Sequence, residues 1–429
     1  MKRLLKRQSL LLAVACFAFI FALAPGVRAY DNYNNPIRVH LSSVSGSVSA
    51  QITQGNYAVL NSSGQKVSSV QAGQSVSLAV GQTLSSQDGQ GRFKYNSKEY
   101  RGDLFNTGAG SKTYQVNRLG MEEYLYSVVA LEIGGYAPAI EALKAQAVAA
   151  RSLACFAKKS PRTPYYDVVS TTSDQAYGGF SSEGYSTSPA SVSYRIREAC
   201  KATESLVMYY NGSLIKGIYC ANTGGHSAAA ATVWGGDYPY LQGRYVPYDS
   251  QSFVADNYSD SSQSSYQAVK TPTSYQWRKT YSYSDVVSKI QAATNQKIGV
   301  LQDIVIEHAD GGYAKAVTFV GSAGSVTLSG EKVRSSLSLR SGTFSVVLGE
   351  SIGALQPFSL QYLDSDNFGR FLNRSGKVVN FQGRGYGHSV GMSQWAACIM
   401  AYQGITYQEI LNYFYSSNSN ALTIERFKG

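Results

Sequence analysis

The sequence predicts an α+β protein: a strand-rich body around a short central helical pair, with a substrate groove passing the end of the first helix. Three observations predict this. From Ile37 to about Arg118, apolar and polar residues alternate between Ser, Gln and Gly clusters, as at Ile37, Val39 and Leu41, which is the period of half-buried strands. Between Met121 and Phe156 the period becomes helical. From Tyr165 to about Tyr248 short β-type runs such as Leu206–Tyr210 and Leu214–Tyr219 return, separated by Gly-rich turns.

In chain order, the first feature is not part of the fold. Lys2, Arg3, Lys6 and Arg7 precede the uninterrupted apolar run Leu10–Ala24, and Val27-Arg28-Ala29 offers small side chains at the two cleavage-determining positions. That is the layout of a secretory signal peptide over residues 1–29, cut after Ala29. A run of roughly 15 residues is short for a bilayer span, which takes about 20, so only a retained leader would anchor the chain in a membrane. Cys16 sits mid-run and reads as an ordinary residue of it. The formal charge of the 429 residues is +11, but the leader carries five basic side chains and no acid, leaving the rest near +6. Such a surplus suits an anionic polymer or a membrane surface. Export and the scatter of the basic residues speak against nucleic acid.

Residues 30–120 form the strand-rich N-terminal part, and residues 121–429 the remainder of the same domain. Ser250–Ser274 reads as an exposed loop or insertion, Tyr283–Thr294 as a helix followed by strands to about Leu348. The last hundred residues end in a Gly-rich loop and a helix near Tyr407–Tyr415. Cys155, Cys200, Cys220 and Cys398 allow three pairings, with isolated buried thiols as the alternative, and none has the close CxxC spacing of a zinc site.

The helical pair carries misplaced charge. Projected at 100° per residue, Met121, Leu125, Val128 and Val129 form one stripe with Glu132 in its middle, whereas Glu122 lies at the edge and Glu123 on the far side. A carboxylate on an apolar stripe is costly unless it is paired or protonated. Either Glu132 ends its helix and reaches solvent or a buried arginine, or it is functional. On the second helix, Pro138 suits a first turn, and Lys144 and Arg151 fall on the inward stripe of Ile140, Leu143 and Ala147. Ala142, Ala145, Ala147, Ala149 and Ala150 leave room for another backbone to approach closely. Three misplaced charges in about thirty residues suggest a site, with a structural ion pair as the alternative.

At this point the sequence resembles a known family. Residues 121–153, MEEYLYSVVALEIGGYAPAIEALKAQAVAARSL, and GRGYGHSVGMSQWAA at 383–397 are similar to motifs of the sporulation stage II protein D and amidase-enhancer family. TGGHS, VWGG and PYL between Gly217 and Asp249, Tyr100-Arg101-Gly102, and SGEKVRSSLSLRSGTF at 329–344 fit it as well, so the resemblance runs from about Ile37 to Phe427. It implies an exported protein acting on peptidoglycan glycan strands as a lytic transglycosylase, with Glu132 as the single catalytic acid and no cofactor. The implied alternative is a non-catalytic wall-binding protein that enhances a partner cell-wall amidase. Desolvation on the apolar stripe would raise the pKa of Glu132, as a proton donor requires. Direct contact with Lys144 or Arg151 would lower it, so these two, with Gln146 of the same motif, are expected to hold substrate.

Two departures from the family pattern stand out. Glu132-Ile133-Gly134-Gly135 replaces "EMP", and Val169, Ser173 and Asp174 occupy the positions of a Cys-x3-His-Cys cluster that looks metal-binding in other members. Cys220 and His226 supply too few ligands for a zinc site, so no metal is expected. His388 either fixes its Gly-rich loop or touches substrate. Ser393 and Gln394 suit sugar hydroxyls, and Ser393 equally suits a helix cap. His226 reads as structural, and His40 and His308 show no partner in the sequence.

Overall fold

The computed structural model describes residues 35–136, 138–189, 191–254, 269–270, 272–349, 378–416 and 421–428. The expected signal peptide, and most of the stretch 250–274 read as a loop or insertion, lie outside these residues. The chain divides into two compact units, the first of residues 1–124, 161–173 and 179–181, the second of 125–160, 174–178 and 182–429. The α+β expectation holds.

The first unit is built of strands. One sheet runs in the order Val168–Val169, Ile37–Ser42, Lys112–Leu119, Asp103–Ala109, Gln82–Ser86, Asn56–Leu60, Lys66–Gln71. A second runs Ser75–Leu78, Val48–Gln54, Arg92–Tyr95, Lys98–Arg101. Alternation does the sorting: Val48, Ala50 and Ile52 point inward while Ser49 and Gln51 are exposed, as the two-residue period of a strand requires. Ile37, Val39, Leu78, Leu84, Phe93 and Leu104 complete a fully buried core. His40 is not without partners. Its ring stacks on Tyr166 and meets Tyr114 edge-on, and Nε2 bonds Ser43 Oγ.

Helix α1 spans Met121–Glu132 and α2 spans Ile140–Lys159. Pro138 lies outside α2, just before the N-cap Ala139, rather than in its first turn. Helix α2 is the centre of the second unit and is buried on nearly every side from Ala142 to Cys155. Around it pack α3 (Val192–Ala202), the strand Leu206–Tyr210, and, further along the chain, two C-terminal helices. The stretch containing α3 was expected to hold only strands and turns. Ile196, Ala199 and Cys200 form a short inward stripe there, too brief to stand out among Ser- and Gly-rich flanks. The expected run Leu214–Tyr219 is broken as well, into the pairs Ser213–Leu214 and Tyr219–Cys220.

After α4 (Ala230–Trp234) comes α5 (Tyr283–Thr294), whose N-cap Ser282 accepts the Asp285 N–H. Helix α6 (Gly330–Ser336) follows the strands Leu301–His308, Ala314–Gly321 and Gly324–Ser329. With the sheet Gln276–Ser282, Val378–Arg384, Thr343–Gly349, they enclose a core of Val286, Ile290, Phe319, Val333, Phe344 and Phe381. Helix α7 (Gln394–Tyr402) and α8 (Tyr407–Tyr415, opened by a Thr406/Glu409 capping box) return to α2. No helix among the described residues is long and apolar enough to cross a membrane.

Candidate active site

Glu132 is the last residue of α1. Met121, Leu125, Val128 and Val129 on its stripe are buried, while Leu131 is exposed, so the carboxyl turns inward with the stripe. Oε1 accepts the Ala176 backbone N–H at 2.8 Å and Oε2 accepts the Gln394 amide at 3.3 Å. Burial raises the pKa of Glu132, and these two donors only partly oppose it. Lys144 does not touch it. That ammonium pairs with Glu141 at 2.6 Å.

Arg151 requires a correction. It is fully buried and donates to the carbonyls of Leu206 at 3.0 Å and Cys200 at 3.4 Å. These carbonyls belong to the strand and helix packed on α2, so the guanidinium braces the unit and offers no surface to a substrate. Gln146 is also fully buried, and its carbonyl accepts Gln394 Nε2 at 3.4 Å. Both glutamines therefore face inward, toward Glu132, rather than outward to a ligand.

Ser393 caps α7, accepting the Ala396 N–H at 3.2 Å, and donates to Asp249 Oδ1. Asp249 is a residue that sequence reasoning missed. It is completely buried, and its other oxygen accepts the Thr223 N–H at 2.9 Å, the Gly225 N–H at 3.1 Å and the Thr223 hydroxyl. Burial raises its pKa against those donors. With its lone pairs occupied and no surface, it holds the 223–225 turn to the start of α7 and is not placed for chemistry on a ligand.

Tyr136, also missed, stands in the turn Gly134–Tyr136 with its ring 5.5 Å from Trp395, edge to face. Burial raises its pKa, reinforced by Cys398, Cys220, Tyr386 and Glu132. Burial pushes the Cys220 and Cys398 thiols up as well, so both stay protonated and poorly nucleophilic. His388 Nδ1 accepts the Val390 N–H at 3.1 Å, and its ring lies 5.0 Å from Trp234. Burial drops its pKa to about 4, so it is neutral at neutral pH. His226 packs on the turn at Gly311, where a Cβ would come within 2.3 Å of its ring. Among the described residues no group of three or more His, Cys, Asp or Glu side chains converges as a metal site would require.

Residues 109–210, which include Glu132, Gln146 and Ala176, match the family described as SpoIID, Stage II sporulation protein. The chain is 26% identical over 313 residues to Stage II sporulation protein D of Bacillus subtilis (strain 168), covering 70% of this chain and 74% of that one. Over residues 109–210 the chain is similar to the SpoIID family. A Stage II sporulation protein D from Bacillus amyloliquefaciens is 24% identical over 316 residues, covering 71% and 75% of the two chains. The Amidase enhancer of Bacillus subtilis (strain 168) is 27% identical over 293 residues, which is 64% of this chain but 37% of that protein. The matched segment holds Glu132 and its Ala176 donor, while Gln394, Ser393 and His388 come from outside it.

Proposed function

We propose that this protein is an exported peptidoglycan lytic transglycosylase in which Glu132 is the catalytic acid and base. The observation that supports it best is a desolvated carboxyl that, among the described residues, has no cation in contact and is held by Ala176 N–H and the Gln394 amide. Protonated, Glu132 gives its proton to the glycosidic oxygen as the bond to C1 breaks. The resulting carboxylate takes the proton of the sugar's own 6-hydroxyl, whose oxygen bonds to C1. The product is a 1,6-anhydro ring, water does not enter, and Glu132 ends protonated. One carboxyl suffices, whereas hydrolytic glycosidases need two. Cleavage of residues 1–29 would deliver the protein to the wall, and a retained leader would tether it to the membrane.

The test is mass spectrometry of purified glycan strands, with and without peptide stems, after incubation with the wild type and with Glu132→Gln. The wild type should release anhydro products, and the variant should fold, still bind glycan, and lose at least about 10²–10⁴-fold in rate. Equal release by both would remove Glu132 from the chemistry. The similarity to a protein named Amidase enhancer favours one second reading, a non-catalytic wall-binding partner of an amidase. Stimulation of an amidase by a wild type that itself releases no anhydro product would establish that reading instead.

A further inference from the structure

Glu132, Gln394 and Gln146 form a line of polar groups that ends on an orphan. Gln394 Nε2 lies 3.3 Å from Glu132 Oε2 and 3.4 Å from Gln146 Oε1, and beyond it Gln146 Nε2 is buried with no acceptor among the described residues. Gln146 has no exposed surface and Gln394 only 2%. A buried donor left unpaired is costly, so this arrangement satisfies one state of the line incompletely.

The two oxygens of Glu132 are not equivalent. Oε1 faces a backbone N–H, which only donates, so Oε1 is an acceptor whatever the charge on Glu132. Oε2 faces a primary amide. Turned by half a rotation about its last bond, that amide exchanges a donor for an acceptor in the same place.

We propose that Oε2 carries the Glu132 proton and that Gln394 and Gln146 turn over together with it, as a relay that serves both charge states. With Glu132 ionised, Gln394 offers its N–H groups to Oε2 and to the Gln146 carbonyl. With Glu132 protonated, Gln394 offers its carbonyl oxygen instead. That oxygen accepts the Glu132 O–H and, from a turned Gln146, the N–H that is orphaned in the first state. Both side chains are then positioning residues rather than the sugar contacts expected from their motifs. The proposal rests on Glu132 being the acid and base, since one turnover passes through both states.

The titratable groups electrostatically linked to this corner are Tyr136 from the Gly134–Tyr136 turn, Tyr386 from the loop before α7, Cys220 from its strand and Cys398 from α7. Tyr136, Cys220 and Cys398 have pKa values raised by burial and stay neutral at acid and neutral pH. His388, whose pKa burial drops to about 4, and Asp249, which the Ser393 hydroxyl beside Gln394 contacts, are the other groups to separate, so a response is assigned to Glu132 by its loss in Glu132→Gln.

The experiment is a pH titration of the full chain labelled with 15N-glutamine, followed by NMR on the side-chain amides. Gln394→Met and Gln146→Met, of similar volume, assign the two signals. Both amides should shift with one shared midpoint in the wild type, and neither should shift in Glu132→Gln. A Gln394 signal that titrates while Gln146 stays fixed would overturn the relay, as would shifts that persist in Glu132→Gln. The titration is read without substrate. Shared shifts in a protein that makes no anhydro product would keep the relay and remove the catalytic role. Product formation with a silent Gln146 would do the reverse.

Discussion

At the scale of single residues, the apolar stripe that made Glu132 conspicuous in sequence is also what shifts its proton affinity. Its folded pKa is raised above the unfolded value, so the native state holds the proton over a pH window where the unfolded chain has lost it. Stability from this group is therefore fully present below the unfolded pKa and falls as pH rises through the folded one. Glu132→Gln removes the titration while keeping the shape. We expect the variant to be more stable than the wild type at neutral pH, by roughly 0.5–2 kcal/mol, because it no longer carries a desolvated charge. The gain should disappear below about pH 4, where the carboxyl is protonated in both states. Thermal melts of both proteins from pH 4 to pH 8 check this, and a gain that grows toward acid would contradict it. Asp249 is raised too but is common to both proteins, so it cancels in the comparison. Lys144 and Arg151 show the limit of the projection. It placed them on the inward stripe correctly, but could not distinguish an arginine braced on two carbonyls from one facing a ligand.

At the scale of elements, α5 was legible to the residue and α1 and α8 in place, because each carries a sustained helical stripe and α5 and α8 open on Ser282 and Thr406 caps. The start of α7 was legible as well, but not what fixes it. Asp249 borders the polar Ser250–Ser274 run and so reads as surface. Its burial comes from Thr223, 26 residues before it, and Ser393, 144 after it, and no local pattern signals such a meeting. Ser393→Ala removes both the helix cap and one donor to a buried carboxylate. It should cost about 1–3 kcal/mol from those two losses together, seen as a lower denaturant midpoint at unchanged slope. A midpoint shift under a few tenths of a molar in urea would show that the Ser393–Asp249 pair is not what sets α7 in place.

At the scale of the whole molecule, the strand-to-helix change at Met121 was legible. The return of residues 161–173 and 179–181 to the first unit was not, because it depends on long-range pairing such as Val39 with Val168. The alanines of α2 did predict a close backbone approach. It occurs at Gly217, where a Cβ would lie 2.2 Å from the Ala149 carbonyl oxygen. Gly217→Ala must push the segment linking Ser213–Leu214 to Tyr219–Cys220 off the central helix, so we expect a loss of about 1–3 kcal/mol from overpacking. Calorimetry checks it, and an unchanged melting temperature would mean the segment yields freely. A second such approach follows, with a Cβ at Gly391 meeting the Ile218 carbonyl oxygen at 2.0 Å. Helix α2, the segment 217–218 and the residue two before Ser393 are thus stacked main chain on main chain. Layers joined this way have no rotamers to absorb a displacement, so they behave as a stiff laminate. A load applied at one face of α2 would be passed toward the Gln394 end with little damping, and Gln394 in turn meets the Glu132 carboxyl.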